Sequence, residues 1–178
     1  MSSALAWTLV ALLIVAIATD LRSRRIPNAL VALGLGLALG WRLLMPGSPI
    51  GEALLTFFQG SGAGLLALMP LYLLRACGAG DVKLMAMVGA FVGPALVLDI
   101  TLWTLVSGGV LSLVFMLCRG VVAQTLENVR FLVTDLIVRA RTGGSPRLAP
   151  LATTAVRLPY AVAIASGTLV AVLRAGAA

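Results

Sequence analysis

The sequence predicts an all-α membrane protein, a polytopic bundle of about six transmembrane helices with one cytoplasmic amphipathic helix at the membrane interface. Two measures of composition support this class. Of the 178 residues, 61% are hydrophobic and 11% are charged, whereas soluble domains are about 25% charged. The mean hydropathy is +1.10. Apolar runs of nearly span length alternate with short connections, so we expect one integral membrane domain over residues 1–178.

The first half of the chain contains three predicted spans. They cover about residues 4–19, 29–44 and 52–74. The first has no Lys or Arg before it, which favours a membrane span over a signal peptide. Closely spaced glycines in the second and third spans predict close helix packing. These are Gly34, Gly36 and Gly40, and then Gly60, Gly62 and Gly64.

The second half contains three further spans and one interfacial helix. Span four follows segment 75–83 and is expected to end near Leu98, with Asp99 as the only charge in the turn before span five. Between Arg119 and Arg141, charges recur among helically spaced apolar residues, a pattern typical of an interfacial amphipathic helix. A linker precedes the last span, which is expected from Pro159 to about residue 173.

The distribution of basic residues predicts the orientation of the bundle. With the N-terminus outside, every Lys and Arg except Arg42 and Arg174 falls on the inner side. The positive-inside rule then places Asp20, Asp81 and the amphipathic helix at the cytoplasmic face. The net charge of +7 is spread over connections, so the expected partner is the lipid bilayer and not nucleic acid.

Histidine is absent, and the two cysteines form no CxxC pair. These features argue against a zinc hydrolase, a haem protein and histidine-based acid–base catalysis. No metal or cofactor is expected.

Two of the few acidic residues are predicted to meet inside the bundle. Asp20 lies at the inner end of span one and Asp81 at the inner start of span four. Ionisable residues inside a bundle are functional candidates, because burying a lone charge is unfavourable. Two neighbouring carboxyls cannot both ionise easily, so one keeps a proton near neutral pH. Such a pair can supply the base and the acid for peptide hydrolysis.

Each aspartate also has a purely structural interpretation when taken alone. Asp81 could cap span four, and Asp20 could be a surface carboxylate paired with a nearby arginine. Gly78 and Gly80 flank Ala79 just before Asp81. They allow either a positive φ or a close approach to an extended substrate strand.

The two aspartate segments resemble motifs of a known family. Asp20 with Arg25-Ile26-Pro27-Asn28 is similar to the first catalytic motif of the prepilin leader peptidases. The segment Gly78-Ala79-Gly80-Asp81-Val82-Lys83-Leu84 resembles their second, the GxGD motif of intramembrane aspartic proteases. The run from Pro159 to Ile164, followed by Gly167, is similar to the last-span motif, with Ala161 where family members often have glycine. The resemblance spans about residues 18–167.

The resemblance implies an aspartic endopeptidase with Asp20 and Asp81 as the catalytic pair. Its substrates would be prepilin or pseudopilin precursors with a basic leader, cut at the cytoplasmic face of a bacterial inner membrane. Larger bifunctional members carry an N-terminal cytoplasmic segment, often with four zinc-binding cysteines, and also methylate the product. This chain looks most like the short peptidases of tight-adherence (Flp) pilus systems. Methylation is not predicted, because the sequence contains no pattern typical of a nucleotide or S-adenosylmethionine pocket.

The same resemblance implies motif support or substrate contact by eight further residues: Arg25, Pro27, Asn28, Gly78, Gly80, Lys83, Pro159 and Tyr160. Some have simpler alternatives. Lys83 could steady Asp81 or contact an acidic substrate residue, but snorkelling to the interface is the preferred interpretation. Pro27 and Asn28 could end one helix and cap the next. Cys77 is expected to be a small buried residue without a nucleophilic role.

The rival function is a proton-coupled transporter or channel with carboxylates as relay groups. The aspartates lie at the inner ends of spans and not near the midplane, and no inverted repeat is evident. A structural scaffold would leave the paired motifs unexplained. The presenilin-like branch of GxGD proteases fits less well, because its first aspartate follows a tyrosine, whereas Asp20 follows Thr19.

Overall fold

The computed structural model describes residues 3–44, 49–74, 76–120, 122–142 and 160–177, and every regular element in them is an α-helix. The helices are α1 (Ser3–Ser23), α2 (Asn28–Leu44), α3 (Ile50–Leu73), α4 (Ala79–Val92), α5 (Pro94–Arg119), α6 (Val122–Thr142) and α7 (Tyr160–Ala177). The predicted all-helical class is confirmed. By length and composition α1, α3 and α5 are able to cross a membrane, while α2 and α7 are shorter apolar helices. The count of about six spans stays a prediction.

The chain divides into two compact units. One comprises Met1–Gly109 together with Pro159–Ala178, and the other comprises Val110–Leu158. The buried residues of the first unit form one hydrophobic core. The second contains the end of α5 and the amphipathic helix α6, whose apolar residues Leu126 and Phe131 are exposed. A single membrane domain over the whole chain stays a prediction.

Helix α4 is the central element of the first unit. Ten of its 14 residues are buried, including every residue from Leu84 to Phe91. It packs against α1, α2, α3 and α7, most extensively against α3. A helix that is apolar on all sides belongs in a core, and here the polar side chains Asp81 and Lys83 are confined to its first turn. The charged side chains of α4 therefore all lie at the start of this helix.

The contact between α3 and α4 is made by backbone against backbone. A β-carbon added at Gly60 would collide with the carbonyl oxygen of Gly89, and one added at Gly64 would collide with that of Met85. The predicted packing role is confirmed for Gly60 and Gly64, which lie four residues apart on one helix face. An added β-carbon at Gly62 would meet nothing within 4 Å. The glycine ridge is thus narrower than predicted.

Only one of the three glycines of α2 is closely packed. A β-carbon at Gly34 would collide with the side chain of Met87, whereas Gly36 and Gly40 have open space. The prediction of close packing in α2 is therefore correct for Gly34 alone.

The boundary between α4 and α5 differs from the prediction. Gly93 ends α4 with a φ of +82°, and its N–H donates to the Gly89 carbonyl at 2.8 Å. Pro94 then starts α5, a position that proline favours because it needs no N–H there. Asp99 consequently lies inside α5, and its placement in a turn between two spans is wrong.

The carboxyl end of α4 is held by an arginine from α2. Arg42 donates from Nε to the Ala90 carbonyl at 3.0 Å and from Nη2 to the Phe91 carbonyl at 3.2 Å. A cation at this end also suits the helix dipole. Arg42 and Asp81 therefore mark opposite ends of the same short helix.

The outer surface of α1, α3 and α5 is largely apolar. Large hydrophobic side chains are exposed along each long helix, among them Trp7 and Ile14 on α1, Phe58 and Leu66 on α3, and Leu98 and Leu102 on α5. Continuous apolar surface of this kind marks contact with a membrane. The chain is a membrane protein.

Replacing Gly89 with Ala tests the contact between α3 and α4. The new methyl group would displace the Gly60 carbonyl, and we expect a loss of about 1–3 kcal/mol of unfolding free energy, typical of overpacking. Gly62→Ala is the matched control, because its methyl group meets open space and Ala favours helix over Gly. Denaturation of both variants in detergent micelles would measure the difference. Equal stability of the two would contradict the proposed contact.

Candidate active site

Asp20 is buried in the last turn of α1, with 7% of its surface exposed. Helix α1 continues to Ser23, beyond the predicted end of the first span near residue 19. The Ala161 N–H donates to Asp20 Oδ2 at 3.2 Å. Ala161 is the second residue of α7, where backbone N–H groups lack partners within the helix and favour a negative charge. Asp20 therefore links the end of α1 to the start of α7, which does not fit the alternative of an arginine-paired surface carboxylate.

Asp81 is similarly buried, with 9% of its surface exposed, and is the third residue of α4. Its Oδ2 accepts a hydrogen bond from the Gly78 N–H at 2.8 Å. This is the carboxylate half of a capping box, in which a side chain reaches back from the first turn to the residue before the helix. Asp81 therefore does help to cap α4, as its structural interpretation predicts, but it does so from within the helix and not from the residue before it.

The two carboxyl groups lie at the same end of the first unit. They are near enough for their charges to interact. Helix α4 packs against both α1 and α7, which carry Asp20 and its hydrogen-bond donor. Tyr160, the first residue of α7, is within electrostatic range of Asp81 and Cys77. The ends of three helices therefore contribute to one polar site beside the hydrophobic core of the first unit.

The turn from Arg24 to Asn28 joins Asp20 to α2. Arg24 has a φ of +51°, and its N–H donates to the Asp20 carbonyl at 2.8 Å, which ends α1. The Pro27 carbonyl accepts from the N–H groups of Leu30 and Val31, which starts α2. Arg25, Pro27 and Asn28 are all exposed. This polar turn is accessible next to the buried carboxyl of Asp20.

Lys83 has a partner that no interpretation of the sequence named. Its Nζ donates to Oδ1 of Asn28 at 3.0 Å, across 55 residues of chain. The Asn28 side chain, predicted to cap α2, instead joins the start of α2 to the first turn of α4. Snorkelling toward lipid headgroups is not needed to explain the position of the Lys83 ammonium group.

The glycines of the second motif have extended or helical backbones. Gly78 has a φ of −87°, and Gly80 has no positive φ either, so the first of the two alternatives, a positive φ, applies at neither glycine. A β-carbon at Gly80 would lie 3.3 Å from Cβ of Ile26, and one at Gly78 would lie 3.3 Å from Asp81 Oδ2. Both glycines thus permit a close approach, Gly80 to the neighbouring turn and Gly78 to the carboxyl that it binds.

The last-span motif is described only in part. Pro159 lies outside the described residues, and Tyr160 is half-buried, with its ring next to Gly108. The contribution of Ala161 was missed, because it is a backbone N–H and leaves no mark in residue type. The only available signal was its place in the first turn of the predicted last span, where N–H groups lack partners within the helix.

Cys77 lies in the connection between α3 and α4, half-buried, with Sγ 3.9 Å from the Leu68 carbonyl. Burial, together with the nearby Asp81 charge, raises the pKa of Cys77 to about 11. The thiol is therefore protonated at neutral pH and is a poor nucleophile. In the described parts of the chain, no three His, Cys, Asp or Glu side chains are grouped to hold a metal ion.

Comparison with protein families identifies the family of the chain. The model of the type IV leader peptidase family matches residues 7–113, more than half of the chain and a range that includes both aspartates. The chain belongs to the type IV leader peptidase family. The resemblance to prepilin leader peptidases is thereby confirmed. The protein is a peptidase, and its family consists of aspartic peptidases. No significant match was found among curated proteins or solved structures.

The raised pKa of Cys77 predicts slow alkylation. At pH 8 we expect a thiol with a pKa of about 11 to react with iodoacetamide about a hundredfold more slowly than an ordinary exposed cysteine. The rate should rise with pH until the pKa is passed, because only the thiolate reacts. Single-cysteine variants made by Cys118→Ser and Cys77→Ser allow each thiol to be followed by mass spectrometry. Rapid reaction of Cys77 at pH 8 would contradict this prediction.

Proposed function

We propose that this leader peptidase is an endopeptidase in which Asp20 and Asp81 form the catalytic pair. One observation carries the proposal: two buried carboxyls, from α1 and α4, lie at the same end of an apolar unit and within range of each other's charge. Buried carboxyls in such a setting are functional candidates because the surroundings disfavour unpaired charge. The matched family supplies the class of reaction, hydrolysis of a leader peptide.

The proposed reaction divides the work between the two carboxyls. The ionised member takes a proton from water while the water oxygen bonds to the scissile carbonyl carbon. The protonated member donates to the carbonyl oxygen, which balances the developing negative charge. The C–N bond then breaks as the leaving nitrogen receives the proton that the first carboxyl took from water, and the carbonyl re-forms as its oxygen returns a proton to the second carboxyl. One oxygen of each carboxyl is already bound to a backbone N–H, so the other oxygen of each is the one assigned to water or substrate.

The proposed substrates are prepilins or pseudopilins with a basic leader, of the kind processed by short peptidases of tight-adherence (Flp) systems. Arg25 and Pro27 are proposed as contacts because they are exposed on the turn that follows Asp20. Tyr160 is proposed as a contact from the side of α7. We place the site at the cytoplasmic face of a bacterial inner membrane, in line with the basic residues Arg22, Arg24 and Arg25 beside it.

Conversion of either aspartate to asparagine tests the catalytic pair. Asp20→Asn and Asp81→Asn keep the shape of the side chain but remove proton exchange, so each should lower cleavage of a co-expressed prepilin at least about a hundredfold. The double variant should be no worse than either single one, because the two groups act as a unit. Immunoblots would compare precursor and mature pilin while recording the membrane level of each variant.

Asp99→Asn provides the matched control, since Asp99 lies in α5 near the end of the first unit opposite to Asp20. Its cleavage activity should stay close to that of the unmodified protein. Loss of cleavage in this control, at a normal membrane level, would refute the assignment. A precursor left uncut even by the unmodified protein would favour the transporter alternative.

The proposed orientation predicts which residues a membrane-impermeant maleimide reaches. In a background with Cys77→Ser and Cys118→Ser, exposed Ser23 lies beside the site and exposed Gly51 lies at the far end of α3. Ser23→Cys should be protected in intact cells and labelled in inverted vesicles. Gly51→Cys should show the reverse. Labelling of Ser23→Cys in intact cells would place the site on the outer side and reject the proposed orientation.

A further inference from the structure

Two contacts dock the turn after Asp20 onto the first turn of α4. In the first, Ile26 packs against Gly80, so closely that a β-carbon on Gly80 would lie 3.3 Å from Ile26 Cβ. In the second, Lys83 Nζ donates to Asn28 Oδ1 at 3.0 Å. The two contacts lie on either side of Asp81 in sequence. We call these two contacts, Ile26 with Gly80 and Lys83 with Asn28, the docking contacts.

The turn is short and is tied to Asp20 at its other end. Arg24 closes the end of α1 by donating from its N–H to the Asp20 carbonyl at 2.8 Å. Three residues separate Arg24 from Asn28, which starts α2. The docking contacts therefore hold the backbone of Asp20 at one position relative to the backbone of Asp81.

The ammonium group of Lys83 is directed away from the catalytic carboxyl. Residues two apart on a helix face opposite sides, and Asp81 is buried whereas Lys83 is exposed. The acceptor of Lys83 is a neutral amide oxygen and not Asp81. Its position therefore suits a tether between two helix starts better than a charge partner of the carboxyl.

We propose that Lys83 and Asn28 are positioning residues that set the separation of the two catalytic aspartates. This inference rests on the proposed function of Asp20 and Asp81. Catalysis by two groups acting on one water and one carbonyl depends steeply on geometry, and a misplacement of about 1 Å can lower a rate about a hundredfold. A tether that acts on geometry changes turnover, whereas a direct substrate contact changes substrate binding.

The test is steady-state kinetics of the full-length protein in detergent or liposomes with a synthetic prepilin. Lys83→Met and Asn28→Ala should each lower kcat about tenfold or more and leave KM within about twofold. The double variant should match the single ones, since both remove the same bond. Lys83→Arg, which keeps a donor, should restore most of the activity. Arg22→Met is the matched control, because it removes an exposed basic residue outside the docking contacts and should leave kcat unchanged.

The size-exclusion elution profile and the thermal unfolding of each variant distinguish a misfolded protein from one in which only the aspartates are misplaced. If Lys83→Met is unstable, the conservative Lys83→Arg variant still allows the proposal to be tested. A rise in KM at constant kcat would assign Lys83 to substrate binding and overturn the proposal. Unchanged kinetics in both Lys83→Met and Asn28→Ala would also overturn it. Either outcome would leave the catalytic pair intact as long as Asp20→Asn and Asp81→Asn abolish cleavage.

Discussion

The structure of the first unit depends on the burial of a short helix that carries charge at one end only. Helix α4 can lie at the centre because its body is apolar, while Asp81 and Lys83 occupy its first turn. Both ends are satisfied by side chains: Asp81 binds the N–H of Gly78, and Arg42 binds the last carbonyls. Without these partners, the ends would leave unpaired polar groups in an apolar environment, which is costly.

The polar site also results from the need for hydrogen-bond partners, in this case at the starts of two helices. The N–H of Gly78 before α4 and that of Ala161 in α7 both need acceptors, and Asp81 and Asp20 supply them. Each carboxyl therefore has a structural partner as well as its proposed chemical task. The two interpretations of each aspartate are compatible, because a carboxyl has two oxygens and a helix start uses one. Substitution by asparagine preserves an oxygen for the N–H and removes only the proton exchange.

Much of this arrangement could be predicted from the sequence, because long apolar runs and rare charges are strong signals in a membrane protein. The ranges of α2 and α3 were close to those observed, and Asp20 and Asp81 were singled out by scarcity and position. The end of α4 was misplaced because hydropathy continues across Gly93 and Pro94, where backbone conformation, and not polarity, ends the helix. The hydrogen bond from Ala161 to Asp20 and the one from Lys83 to Asn28 depend on tertiary geometry, so no local sequence pattern encodes them.

The glycine contact between α3 and α4 also limits how the site can rearrange. Because Gly60 and Gly89 touch through their backbones, rotation or sliding of either helix would bring the two backbones into collision. The link from α1 to α7 at the site is a single hydrogen bond of 3.2 Å. Any opening that admits an extended peptide is therefore expected between α7 and the two aspartates, because the docking contacts hold the turn after Asp20 against α4.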